Sequence, residues 1–121
     1  GLLTPDKNLT ELHLTNVTSD GAGEAHTYVS SNATEYEING STEANATVTV
    51  SSDVLNKNNE SVPIDANNKF SYKINIPSNV SEFKVKFDAS KTGKNDSYII
   101  LTVKKQEAPK PQTTTSQKGS K

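Results

Sequence analysis

Few side chains in this sequence are of types that do chemistry, and fewer recur at spacings that chemistry needs. The most frequent pattern is the triplet Asn-x-Ser/Thr. It occurs eight times, at Asn8, Asn16, Asn32, Asn39, Asn45, Asn59, Asn79 and Asn95, and is the acceptor pattern for N-linked glycans. With thirteen Asn and twenty-eight Ser or Thr in 121 residues, chance gives roughly three such triplets. The excess makes these eight candidate glycosylation sites. The competing reading is a polar, threonine-studded sheet surface, because Asn, Ser and Thr also cluster in turns.

The remaining candidates are sparser. His13 and His26, the second with Glu24 nearby, supply too few converging ligands for a metal or acid–base centre. Both are expected as surface histidines, and no metal or cofactor is expected. Serine is abundant, but no Gly-x-Ser-x-Gly elbow occurs. Glu35 and Glu37 share one outward strand face and read as solvated carboxylates rather than a glycosidase pair. Asp65-Ala66-Asn67-Asn68 lacks the following Gly and the distal Glu of a calcium loop and reads as a hairpin turn. There is no Trp. Of the aromatics, Tyr28 and Tyr98 are not claimed by the core, so they are the two binding candidates, able to stack on a sugar. None of these residues assembles an active site, and the chain is expected not to be an enzyme.

Composition narrows the partners. The net charge is -1, with thirteen Lys and no Arg. Without the bidentate guanidinium fork, nucleic-acid recognition is not expected. The charge is uneven: residues 1–50 hold one Lys against seven acids, residues 51–121 twelve Lys against seven. No Cys is present, which excludes disulfides and thiolate ligands. No stretch reaches the roughly 18 apolar residues of a membrane helix. Starting at Gly1, the chain reads as a piece excised from a longer protein.

The elements that must position these residues are strands. Apolar residues alternate with polar ones at period two, the mark of a half-buried strand. Leu12 and Leu14, with Val17, suggest a first strand closed by the turn-rich residues 19–23, and a short strand is expected around Thr27 to Ser30. Tyr36 and Ile38 share a face, as do Val48 and Val50. Residues 56–59 read as a loop. Val62 and Ile64 suggest an edge or bulged strand, because Pro63 cannot donate to a ladder. Phe70, Tyr72, Ile74 and Ile76 form the clearest inward face, followed by Phe83, Val85 and Phe87, then Ile99, Leu101 and Val103, with Tyr98 on the polar side. No helical period occurs. About seven short strands separated by turn signals argue for an all-β sandwich, spanning residues 10–105. Residues 1–9 read as linker and residues 106–121 as a disordered Pro/Thr/Lys-rich tail or linker.

At residues 36–76 the pattern becomes specific. Tyr36, Ile38, Gly40 and Thr42, then Ala46, Val48 and Val50, then Asp65, Ala66 and Phe70, resemble the bacterial immunoglobulin-like module typified by the B domain of glucodextranase. The likeness extends over about residues 10–105. Where that family usually carries Pro-Gly this chain has Ala44-Asn45, and where it carries Gly before the hairpin aromatic this chain has Asn68-Lys69. The resemblance implies an immunoglobulin-like antiparallel β-sandwich acting as an accessory, spacer or adhesive module of a secreted or cell-surface protein. It brings no catalytic residue. The expected partners are the other domains of the parent protein. The alternative is a carbohydrate- or protein-binding adhesion module using Tyr28, Tyr98 and the loops at 53–60 and 88–97. Membrane insertion is not expected, and the fragment is expected to be monomeric.

Overall fold

The computed structural model describes residues 8–106. Residues 1–7 of the expected linker, and all of the expected tail except Gln106, lie outside the described residues. Among the described residues there are nine strands and no helix, in two sheets. One sheet has three strands in the order β1 (Leu12–Leu14), β4 (Glu35–Thr42), β7 (Lys69–Asn75), all antiparallel. The other has six, in the order β2 (Thr18–Gly21), β3 (Glu24–Val29), β9 (Ser97–Lys105), β8 (Glu82–Ser90), β5 (Thr47–Ser52), β6 (Lys57–Ser61). Two sheets packed face to face, without helices, are consistent with a β-sandwich.

The period-two pattern sets which side chains face the core. Along β7, Phe70, Tyr72 and Ile74 are buried while Lys69, Ser71, Lys73 and Asn75 are exposed. On β8, Phe83, Val85, Phe87 and Ala89 are buried. Phe87 is fully buried at the junction of the sheets: its ring stacks on Phe70 at 5.9 Å and meets Tyr72 edge-on at 6.2 Å. Burying a ring of that size contributes roughly 1.5–3 kcal/mol, and these contacts join β7 of one sheet to β8 of the other. Gly40, on β4, lies inside this layer. A Cβ there would run into the Phe70 ring and sit 2.5 Å from the backbone oxygen of His13, so only glycine lets β1 and Phe70 approach so closely.

Several expectations are corrected. The strands number nine rather than about seven, because the polar segments Thr18–Gly21 and Lys57–Ser61 also pair. Residues 57–59, read as loop, belong to β6. Residues 62–64 form no strand: Val62 still donates its N–H to the Val48 carbonyl at 2.9 Å, but Pro63 has no N–H to continue the ladder. The early hairpin is longer than expected, its second strand running from Glu24 to Val29, and Val17 lies outside β1. Tyr36 and Ile99 pack against the core yet are only half-buried. The larger sheet is not wholly antiparallel, since β3 runs parallel to β9 over six register pairs, Glu24↔Ile100 to Val29↔Lys105.

Asparagine makes several of the tight turns. Asn45, Asn56, Asn59 and Asn68 have φ of 67°, 57°, 53° and 64°, in the left-handed region that Asn tolerates better than most residues.

Candidate functional site

Tyr28 and Tyr98 emerge on the same outer face of the six-stranded sheet, 54% and 49% exposed. They do not form one platform. Tyr28 stands beside Lys104 in the β3/β9 register, six positions along β9 from Tyr98, so the rings are roughly 20 Å apart at ~3.3 Å per residue. Each has its own surroundings. The Lys86 ammonium lies 5.1 Å from the Tyr98 ring centre, and that of Lys104 lies 6.0 Å from the Tyr28 ring. Both distances suit a cation–π contact. His26 meets Tyr28 edge-on at 5.4 Å.

The Tyr98 ring also leans on the β2–β3 turn, where a Cβ on Gly23 would come within 2.9 Å of it, and Gly23 has φ +76°. Beyond that contact a groove of about 460 Å³ opens between β1 and the turn, bordered by Leu9, Leu14, Val17, Tyr98 and Ile99. Between the two tyrosines the outer face carries Lys84, Lys86 and Thr102, with Thr47, Thr49 and Ser51 on β5 farther across. It is a hydroxyl- and lysine-bearing surface with an aromatic ring at either end. A larger cavity of about 700 Å³, lined by Thr15, Asn39, Ile64, Asp65 and Lys69, lies along the β4/β7 sheet.

The other candidates are placed as follows. His26 pairs not with Glu24 but with Asp20, its Nδ1 lying 2.8 Å from both carboxylate oxygens. His13 is exposed, 3.8 Å from Glu11. Glu35 and Glu37 point outward, and Glu35 faces Lys73 at 3.7 Å. The carboxylate of Asp65 accepts the N–H groups of Lys69 (3.0 Å) and Asn67 (2.8 Å), which lower its pKa. That oxygen is occupied in shaping the turn. Among the described residues, no group of three or more His, Asp or Glu side chains is placed to hold a metal ion. Of the loops read as binding candidates, 53–56 remains a turn while 57–60 lies in β6, and β8 and β9 leave only 91–96 as loop.

The eight sequon asparagines differ in setting. Asn32, Asn45 and Asn79 are exposed outside the strands. Asn16 serves the fold itself, for its Nδ2 donates to the Glu37 carbonyl at 2.8 Å and its Oδ1 accepts the Asn39 N–H at 3.0 Å. The side chain thus pairs with β4 as a strand backbone would. Asn39 is half-buried, and its Oδ1 accepts the Ser71 hydroxyl at 2.7 Å. Asn59 is exposed on β6, held by Ser51. Asn8 and Asn95 are joined through backbone, with the Asn95 N–H donating to the Asn8 carbonyl at 2.6 Å.

Two clusters escaped the sequence reading. Glu43 accepts Lys94 at 2.8 Å, the Glu11 N–H at 2.8 Å and Lys91 at 3.0 Å, which together hold its pKa down to about 2. Glu60 accepts the Tyr72 hydroxyl at 2.6 Å and Lys57 at 3.1 Å. Glu43 gathers lysines about fifty residues away, and Glu60 adds Tyr72 from another sheet to its near neighbour Lys57.

Comparison with protein-family models, with curated proteins and with solved structures gives no match for this chain.

Proposed function

We propose that this chain is a non-catalytic, immunoglobulin-like spacer module of a secreted or cell-surface protein. The observation that carries the reading is where the domain receives and releases the chain. Leu9 bridges Asn95, just before β9 starts, while the Gln106 N–H donates to Val29 just after β9 ends. The nine-residue strand β9 separates those points, and from Asn95 to Gln106 the chain spans roughly 36 Å at ~3.3 Å per residue. A module that takes the chain in at one end and passes it on at the other adds its full length to the distance between its neighbours.

The strand arrangement supports the immunoglobulin-like part. On this reading β1, β4 and β7 correspond to A, B and E, and β5, β8 and β9 to C, F and G, with the chain crossing between sheets after β1, β3, β4, β6 and β7. The resemblance to the glucodextranase B-domain family fits the same arrangement. Asn45 and Asn68 take left-handed conformations where that family carries glycine.

A second reading, a carbohydrate- or protein-binding adhesion module, is favoured by one observation: Tyr28 and Tyr98 lie exposed on the same sheet face, Tyr98 beside an apolar groove. A two-dimensional NMR titration separates the two, using oligosaccharides and cell-wall fragments, with calcium as a separate arm. Under the spacer reading, no localised shift appears in any arm. Saturable shifts confined to Tyr28 or Tyr98 and their neighbours would replace it with the binding reading.

A further inference from the structure

We infer that the parallel pair β3/β9 is a mechanical clamp, which makes this domain resist force applied along the chain. The inference rests on the spacer reading only for the source of the load; the clamp follows from strand directions.

Consider tension drawing the chain before Asn8 one way and the chain after Gln106 the other. β9 is pulled from its C-terminal end. Residues 8–10 are pulled oppositely, alongside the start of β9, where Thr10 donates both N–H and Oγ1–H to the Asn95 carbonyl, each at 2.9 Å, and the Ser97 hydroxyl donates to the Thr10 carbonyl at 2.6 Å. This first lock is short. Once it slips, β1 slides off β4, to which three register pairs join it, extended by the Thr15 N–H on the Asn39 carbonyl and by the Asn16 side chain. β2 then peels from β3 beginning at Thr18, because the pair is antiparallel and the load reaches β2 at the end remote from the turn.

The load then reaches Glu24, the N-terminal end of β3. Here the geometry changes. β3 and β9 are parallel, and each is pulled from its opposite end, so they can separate only by sliding lengthwise. Every rung from Ile100 N–H to the Gly23 carbonyl (2.8 Å) through Gln106 N–H to the Val29 carbonyl (2.9 Å) is loaded together. A peeled pair breaks one rung at a time, whereas a sheared pair must break its ladder as a unit. Side chains reinforce the joint from both faces. Ala25 and Val29 are buried beneath it with Leu101 and Val103, and Lys104 on β9 reaches over the Tyr28 ring on β3. Forced unfolding reads the barrier rather than the equilibrium stability, so a modest core does not preclude high strength.

The test is single-molecule pulling in two directions on the full chain. It contains no cysteine, so paired substitutions to Cys take the handles uniquely. Handles at Gly1→Cys and Lys121→Cys load the clamp in shear. Handles at Asn79→Cys and Gln106→Cys, both exposed and at the same end of the sandwich, unzip antiparallel β8 from β9 instead. The expected result is a shear rupture force several-fold above the unzipping force. The main shear event should release roughly 270 Å, the extended length of residues 24–105 less their folded span. Equal forces in the two directions would overturn the inference. So would a main event of roughly 310 Å, the length of residues 8–106 freed at once, since it would place the resistance outside β3/β9. Either failure leaves the spacer reading standing, because a spacer needs span and not strength; that reading fails instead on ligand shifts in the titration.

Discussion

The Tyr72 hydroxyl donates to Oε2 of Glu60 at 2.6 Å, and this contact joins β7 of the smaller sheet to β6 at the edge of the larger one. Tyr72 is almost fully buried while Glu60 is exposed, so the bond carries a core side chain to the surface at a sheet edge. The Lys57 ammonium closes the group, 3.1 Å from Glu60 and 5.6 Å from the Tyr72 ring centre.

Burial and the Glu60 carboxylate raise the Tyr72 pKa above its ordinary value of 10.0. A raised folded value means the contribution is fully present below pH 10 and is lost as pH climbs through the folded pKa. Tyr72→Phe should therefore lower the thermal midpoint by a few degrees at pH 7. Its unfolding should also depend less steeply on pH above 10 than that of the parent, as followed by circular dichroism.

Glu43 governs the acid side. Its pKa lies at about 2 against an ordinary 4.5, held down first by Lys94, then by the Glu11 N–H and Lys91. A depressed folded value means stabilisation that is present above pH 4.5 and lost as pH falls toward 2. Glu43→Gln should be less stable than the parent at pH 7, and the difference should shrink across that window in urea titrations. High salt should shrink it as well, since the ammonium groups are partly solvated.

Two core substitutions separate crowding from cavity formation. Gly40→Ala forces a methyl group between the Phe70 ring and the backbone of β1 and should cost about 2 kcal/mol or more. Phe87→Ala removes the ring between Phe70 and Tyr72 and should cost about 4 kcal/mol. Against a total of roughly 5–15 kcal/mol for a domain, the second variant should lose a quarter or more of its stability. Chemical denaturation at matched temperature measures both.

Asn16 tests whether a sequon asparagine helps to hold the fold together. Asn16→Ala removes the two hydrogen bonds to β4 and should cost about 1 kcal/mol, because water replaces part of an exposed bond. Asn32→Ala, on an exposed turn, should change stability by less than about 0.5 kcal/mol. Amide exchange at Asn39, whose N–H the Asn16 side chain accepts, should quicken in the first variant only.

The strands that face the core were legible because one side of each is dry. Phe70, Tyr72 and Ile74 could alternate with Lys, Ser and Asn only in a half-buried strand, and Phe83 to Phe87 read the same way. Burial imposes the period, so wherever burial acts on one face the sequence records it. β2 and β6 were missed for the converse reason. Thr18–Gly21 is exposed throughout and Lys57–Ser61 nearly so, so neither carries an apolar–polar contrast.

Composition and alternation by themselves determined an all-β protein with a small apolar core, and they located most core residues and the turn around Asp65. Partnership was decided only by the tertiary structure. That β3 runs parallel to β9, that Tyr28 and Tyr98 stand at opposite ends of one face, that Asp20 rather than Glu24 meets His26, and that Glu43 collects Lys91 and Lys94 all depend on which strands become neighbours and in what register. Period two tells each side chain which face it occupies. It holds no record of the strand across the gap, because any partner with the same alternation would bury the same face equally well.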